Sequence, residues 1–115
     1  MAVEKINYIE LPATDIEGTK QFFAKAFGWG FVDYGPDYAA ISGAGLDGGF
    51  YKSTLRATTE TGSALVVLYS TNLESSLESV ESAGGKIVRP IFSFPGGRRF
   101  HFTDPSGNEY AVWSV

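Results

Sequence analysis

The chain has 115 residues, 43% apolar and 19% charged, with 14 glycines: the make-up of one globular domain cut by many tight turns, which excludes a disordered chain. A net charge of −4 and nine Lys and Arg residues scattered apart from the Arg98-Arg99 pair make nucleic acid a poor partner. With no cysteine there is no disulfide framework, thiolate nucleophile or thiolate metal site, which fits a reducing compartment.

Residues 1–5 carry an acid and no apolar core of signal-peptide type, and no apolar run approaches the length of a membrane span. The expected location is the cytoplasm, with no membrane partner. Residues 5–11 alternate and are rich in β-branched and aromatic side chains, a strand that Pro12 is expected to stop. Thr14 and Glu17 then form a capping box. Ile16, Phe23, Ala26 and Phe27 recur at helical spacing until Gly28, which predicts a helix over 15–27. Short strands are predicted at 29–34, 38–41 and 49–52, separated by Gly35-Pro36 and the glycine-rich 43–48 stretch.

The order then repeats. An apolar run at 64–70 precedes Thr71 and Glu74, a second capping box at an offset of 57 residues from Thr14 to Thr71. At that offset Ile16 matches Leu73, Phe23 matches Val80, Ala26 matches Ala83 and Gly28 matches Gly85. Cap, apolar stripe and terminal glycine coincide, which local punctuation alone does not explain. Strands are predicted at 86–89, 98–103 and 109–115, the last two joined by the turn Asp104-Pro105-Ser106-Gly107-Asn108. The fold class is α+β, a single domain of two tandem βαβββ modules at about 5–56 and 64–115, with the polar stretch 57–63 as linker.

Three motifs carry a family likeness: Tyr-Ile-Glu-Leu-Pro-Ala-Thr-Asp at 8–15, Phe-Gly-Trp at 27–29, and Phe-Thr-Asp-Pro-Ser-Gly-Asn at 102–108. Through nearly the whole chain the sequence resembles the vicinal oxygen chelate superfamily, which includes glyoxalase I, bleomycin resistance proteins and extradiol dioxygenases. It is most similar to the small glyoxalase-like proteins of bacteria. The resemblance implies the glyoxalase-like fold, in which paired modules curl a mixed sheet into a cup that holds the ligand, and two chains pack as a homodimer. In metal-dependent members His, Glu or Gln from both modules hold a divalent ion in the cup. The family positions fall here on Tyr8, near Leu65, on Ala111 and around 48–50, where none of those ligands stands. The expectation is therefore no metal and no cofactor. A transition-metal site also wants about three convergent His or carboxylate ligands, and there is one histidine, His101, leaving a set such as His101, Glu10 and Glu109 as the only alternative.

Alternation sorts the cup lining, since the helix-packing face of each strand is the more aliphatic. Ile9, Leu11, Phe100, Phe102, Tyr110 and Val112 are expected under the helices. Tyr8, Glu10, Val67, Tyr69, Arg99, His101, Thr103, Ala111 and Trp113 are left as ligand-binding candidates, with Glu109 beside them. Arg99 and His101 suit an oxyanion or carbonyl, because guanidinium binds oxyanions bidentately and imidazole titrates near neutrality. His101 and Glu10 are the candidate acid–base pair. Quieter roles fit the same residues: His101 as a hydrogen-bonded strand residue, Glu10 as an ion-pair partner of Arg98 or Arg99, Tyr8 and Trp113 as core or interface aromatics.

No nucleophile elbow surrounds Ser70, Ser93 or Ser106, and no phosphate loop is present. The function expected is binding of a small aromatic or carbonyl-bearing molecule in a metal-free cup, by sequestration or simple acid–base chemistry. The alternatives are a divalent-metal-dependent lyase or dioxygenase of the same superfamily, and a non-catalytic interaction module whose cavity its own side chains fill.

Overall fold

The computed structural model describes residues 4–115. Residues 1–3, on which part of the signal-peptide reading rests, lie outside the described residues. The first module is β1 (Tyr8–Ala13), α1 (Ile16–Phe27), β2 (Gly30–Asp33), β3 (Tyr38–Ser42) and β4 (Asp47–Lys52). The second is β5 (Val66–Tyr69), α2 (Leu73–Ser82), β6 (Lys86–Phe94), β7 (Gly97–Thr103) and β8 (Glu109–Ser114). Each module builds its own four-stranded sheet, in the orders β1-β4-β3-β2 and β5-β8-β7-β6, with the first strand parallel to the last and the other pairs antiparallel.

The inner faces of both sheets converge on one core. Phe23 of α1 is its hub: the ring stacks on Trp29 at 4.3 Å and meets Phe50 of the first sheet at 5.8 Å and Tyr110 of the second at 5.1 Å. The side chains expected under the helices at Leu11, Phe100, Phe102, Tyr110 and Val112 are buried there, together with Phe22, which the periodicity had not singled out. Since both inner faces look at this core, the opposite faces of the two sheets look away from it. The chain thus carries one outer face on each of its two sheets, in the paired-module α+β architecture expected of the glyoxalase-like fold.

Both helix starts move by one residue, and in step. Asp15 caps α1, its carboxylate accepting from the Gly18 N–H at 2.9 Å, and Asn72 caps α2, accepting from the Ser75 N–H at 3.1 Å. Thr14 and Thr71 stand one position too early. Asp and Asn are the stronger caps, and the pair Asp15 and Asn72 keeps the 57-residue offset. At the far ends Gly28 is left-handed at φ 74°, but α2 ends on Ala83 with Gly84, not Gly85, in the positive region at φ 99°.

Two prolines proved permissive. Pro12 lies inside β1, an edge strand on which a missing N–H costs no ladder bond, and its carbonyl accepts from Asn108 Nδ2 at 2.6 Å. Pro90 lies inside β6, which runs on to Phe94 through two register shifts against β7. The expected strand at 86–89 is thus less than half its observed length.

The turn at 104–108 does more than reverse the chain. Asn108, fully buried, also accepts from the Ala57 N–H at 2.9 Å, and Ser106 Oγ accepts from the Asp15 N–H at 3.1 Å while bonding Thr19 Oγ1 at 2.7 Å. Asp104 sits beneath, taking bonds from the Ser106 and Asn108 N–H groups and from the Tyr110 hydroxyl at 2.7 Å. Burial pushes the Asp104 carboxyl up, against the pull of those bonds.

Candidate functional site

The outer face of the second sheet gathers most of the expected site residues. Cross-strand pairing sets two rows side by side: Val67, Ala111, His101 and Arg89 in one, Tyr69, Trp113, Arg99 and Phe92 in the next. Tyr69 meets Trp113 edge-on at 4.9 Å, and Phe94 closes on the other side of Trp113 at 6.3 Å. Ala111 is fully buried beneath its neighbours, so its small side chain makes room between Val67 and His101 and offers no surface to a ligand.

His101 is the polar centre. It is 4% exposed, and its Nδ1 lies 2.7 Å from Glu109 Oε2. Glu109 Oε1 in turn accepts from the Thr59 N–H at 2.9 Å and its hydroxyl at 2.8 Å. Burial works against ionisation of Glu109, but the bonds from His101 and Thr59 outweigh it and hold the carboxyl below the ordinary range. An ionised carboxylate only accepts, so the imidazole donates to it from Nδ1. Its Nε2 is buried and has no partner, and the same holds for Arg99 Nε two residues back on the strand. A cavity of about 360 Å³ opens beside His101, bordered by Thr59, Arg89, Thr103 and Glu109.

The other two candidates stand on the first sheet. Tyr38 donates to Glu10 at 2.9 Å, and since its one proton is spent there, Tyr8 donates to Tyr38 at 2.5 Å. Gly49 makes this possible, because a Cβ there would stand 2.1 Å from the Tyr38 hydroxyl. Burial, with the bonds to Tyr8 and Glu10, pushes the Tyr38 hydroxyl above the ordinary phenol range. Within one chain, therefore, Glu10 does not meet His101: the two occupy outer faces that point away from the common core. Glu10 also pairs with neither arginine, since Arg98 reaches Glu74 of α2 at 2.6 Å.

A larger cavity, about 670 Å³, lies between the inner faces, walled by Ile9, Leu11, Ile41, Val66, Leu68 and Val112. Its polar rim is the hydroxyls of Ser70, Thr71 and Ser76, with no charged group, and of the expected ligand-binding residues it touches only Val67 and Tyr69. His101, Glu109, Arg89 and Arg99 stand instead on the outer face of the second sheet, and Glu10 on the first sheet.

Sequence reasoning missed Phe92 and Phe94 because it ended their strand too early, and it left Arg89 unassigned at that expected strand end; the alternation of Phe92 and Phe94 was the available signal. Thr59 was assigned to the linker. The residues do not fit a divalent ion held in the family manner, since Tyr8, Leu65 and Ala111 provide neither imidazole nor carboxylate. Among the described residues no three His, Cys, Asp or Glu side chains come together.

The model of the Glyoxalase/Bleomycin resistance protein/Dioxygenase superfamily matches residues 5–112. CFP32 of Mycobacterium bovis, which carries a glyoxylase name, is 25% identical over 95% of this chain, and the chain spans 45% of that relative's length. Among solved structures, the fosfomycin resistance protein FosX of Listeria monocytogenes superposes with TM-score 0.81 at 14% identity, covering 99% of this chain and 95% of that one. The antibiotic-binding protein TnmS3 of a Streptomyces species superposes with TM-score 0.71 at 18% identity, covering 99% and 98%. At these identities the structures speak for the fold, and the family model for descent: the chain belongs to the Glyoxalase/Bleomycin resistance protein/Dioxygenase superfamily.

Proposed function

We propose that this protein binds a small aromatic or carbonyl-bearing molecule on the outer face of the second sheet, without a metal ion, and that a second copy of the chain closes the cup. The observation that carries the reading is the buried, unpartnered His101 Nε2, oriented by Glu109, with the Phe92 ring 5.9 Å from the imidazole. Leaving a buried polar atom unsatisfied costs about 1–3 kcal/mol, which a ligand bonded to it recovers. Apolar walls with a few convergent polar groups are the usual make-up of a small-molecule site. The names of TnmS3 and FosX, an antibiotic-binding and an antibiotic-resistance protein, support small-molecule binding as a use of this fold.

The partner copy supplies what one chain lacks. β1 and β5 are both sheet edges with exposed Tyr8, Val67 and Tyr69. Docked across a two-fold axis, the first sheet of one copy brings Tyr8 and Glu10 over His101 and Arg99 of the other. The ligand is then held by sequestration, or altered by proton transfer through His101. The absence of cysteine fits action in the cytoplasm.

A thermal-shift screen of small aromatic and carbonyl compounds tests this reading. Hits are expected to stabilise the native protein equally with and without a chelator, and to lose about tenfold in affinity in His101→Ala. Unchanged affinity in that variant, or hits that vanish with chelator, overturns it.

A further inference from the structure

β6 departs from regular alternation at two register shifts, between Ile87 and Arg89 and between Arg89 and Phe92. In an unbroken strand Arg89 and Phe92, three residues apart, would point to opposite faces. The shift through Pro90 and Ile91 puts both on the outer face, Arg89 opposite His101 and Phe92 opposite Arg99. The Arg89 guanidinium lies 3.9 Å over the Phe92 ring, while that of Arg99 stands 5.4 Å from the same ring and 5.6 Å from Phe94. Two guanidinium groups thus share one aromatic platform.

Among the described residues neither is paired with a carboxylate: the ion pairs are Lys20 with Glu17 and Asp33, Arg98 with Glu74, and His101 with Glu109. The contrast with Arg98, one residue from Arg99 and neutralised by Glu74 on the opposite face, is local and sharp. Arg99 Nε and His101 Nε2, two residues apart on β7, are moreover both buried without a partner. In a protein of net charge −4, a strand irregularity has gathered onto one patch two arginines without an ion-pair partner among the described residues of the same chain and two unsatisfied polar atoms. From there the surface turns aromatic through Phe94, Trp113 and Tyr69.

We infer that the ligand is an anion with a planar apolar body: a carboxylate or equivalent oxyanion held between Arg89 and Arg99, with its ring system lying along Phe94, Trp113 and Tyr69. This rests on the proposed binding face and names the ligand class for it. Guanidinium groups recognise carboxylates in fork geometry, and an arginine stacked on an aromatic ring has lost little freedom to do so. Arg89 and Phe92 become specificity-determining residues, and the irregularity in β6 is the device that aims them.

The probes are 2-naphthoate and its neutral counterpart 2-naphthol, titrated by calorimetry into the native protein and into Arg89→Ala and Arg99→Gln. Naphthoate is expected to bind at least about tenfold more tightly than naphthol, the preference collapsing in both variants while naphthol affinity stays within about twofold. Retained naphthol binding shows that the variants keep the fold. If both probes bind equally to the native protein, or the variants keep the preference, the anion inference is overturned and the aromatic binding face stands. If neither probe binds, both fall.

Discussion

At the scale of single residues, the site turns on which atoms are left without partners. Glu109 answers three donors at once, two from Thr59 and one from His101, and its carboxyl is held below the ordinary range as a result. A depressed folded-state value means that the bonds contribute stability above the unfolded pKa and lose it as pH falls through the folded one. Glu109→Gln is therefore expected to cost about 1–3 kcal/mol in urea unfolding at about pH 7, and distinctly less at about pH 3.5. A gap that stays constant with pH would show that charge on Glu109 is not what orders the site. Asp104 carries the opposite sign: its raised folded value makes its ionisation a cost as pH rises, offset by the Tyr110 and backbone donors.

At the scale of elements, the turn between β7 and β8 couples the modules. Asn108 bonds Pro12 at the end of β1 and Ala57 after β4, so one side chain fixes the second hairpin against the first module. Asn108→Ala is expected to cost about 2–4 kcal/mol, since it leaves a buried carbonyl and a buried N–H unsatisfied. Asn108→Asp should be at least as damaging, because it sets a second carboxylate where the Asn108 amide now lies 3.2 Å from Asp104. Thermal unfolding of both variants checks this, and a milder Asp variant would sink the argument. The composition of this turn was legible as a hairpin, but its second duty was not: partners 96 and 51 residues away leave no local pattern. The helix caps show a smaller failure of the same kind, because Thr14 and Asp15 are both competent and only the backbone decides which caps. β6 shows a larger one, because a proline that reads as a strand end is tolerated where the strand bulges.

At the scale of the whole molecule, the two sheets share one core and turn their other faces outward. The proposed cup needs two chains, so the protein is expected to sediment as a dimer, with Val67→Asp giving a folded monomer that no longer binds the screened ligands. A monomer that binds as well as the dimer would place the whole site on one sheet. The repeat, the fold class, the inner faces of β1, β7 and β8 and the gathering of Arg99, His101 and Trp113 on one sheet face were all legible in the sequence, because alternation and capping are local physics with fixed periods. Only the tertiary structure decided that Glu10 stands apart from His101, that Glu109 bonds the imidazole, and that Arg89 and Phe92 pair opposite His101 and Arg99. Those outcomes depend on how one sheet packs on the other and where a strand slips its register, and no spacing within a single module records either.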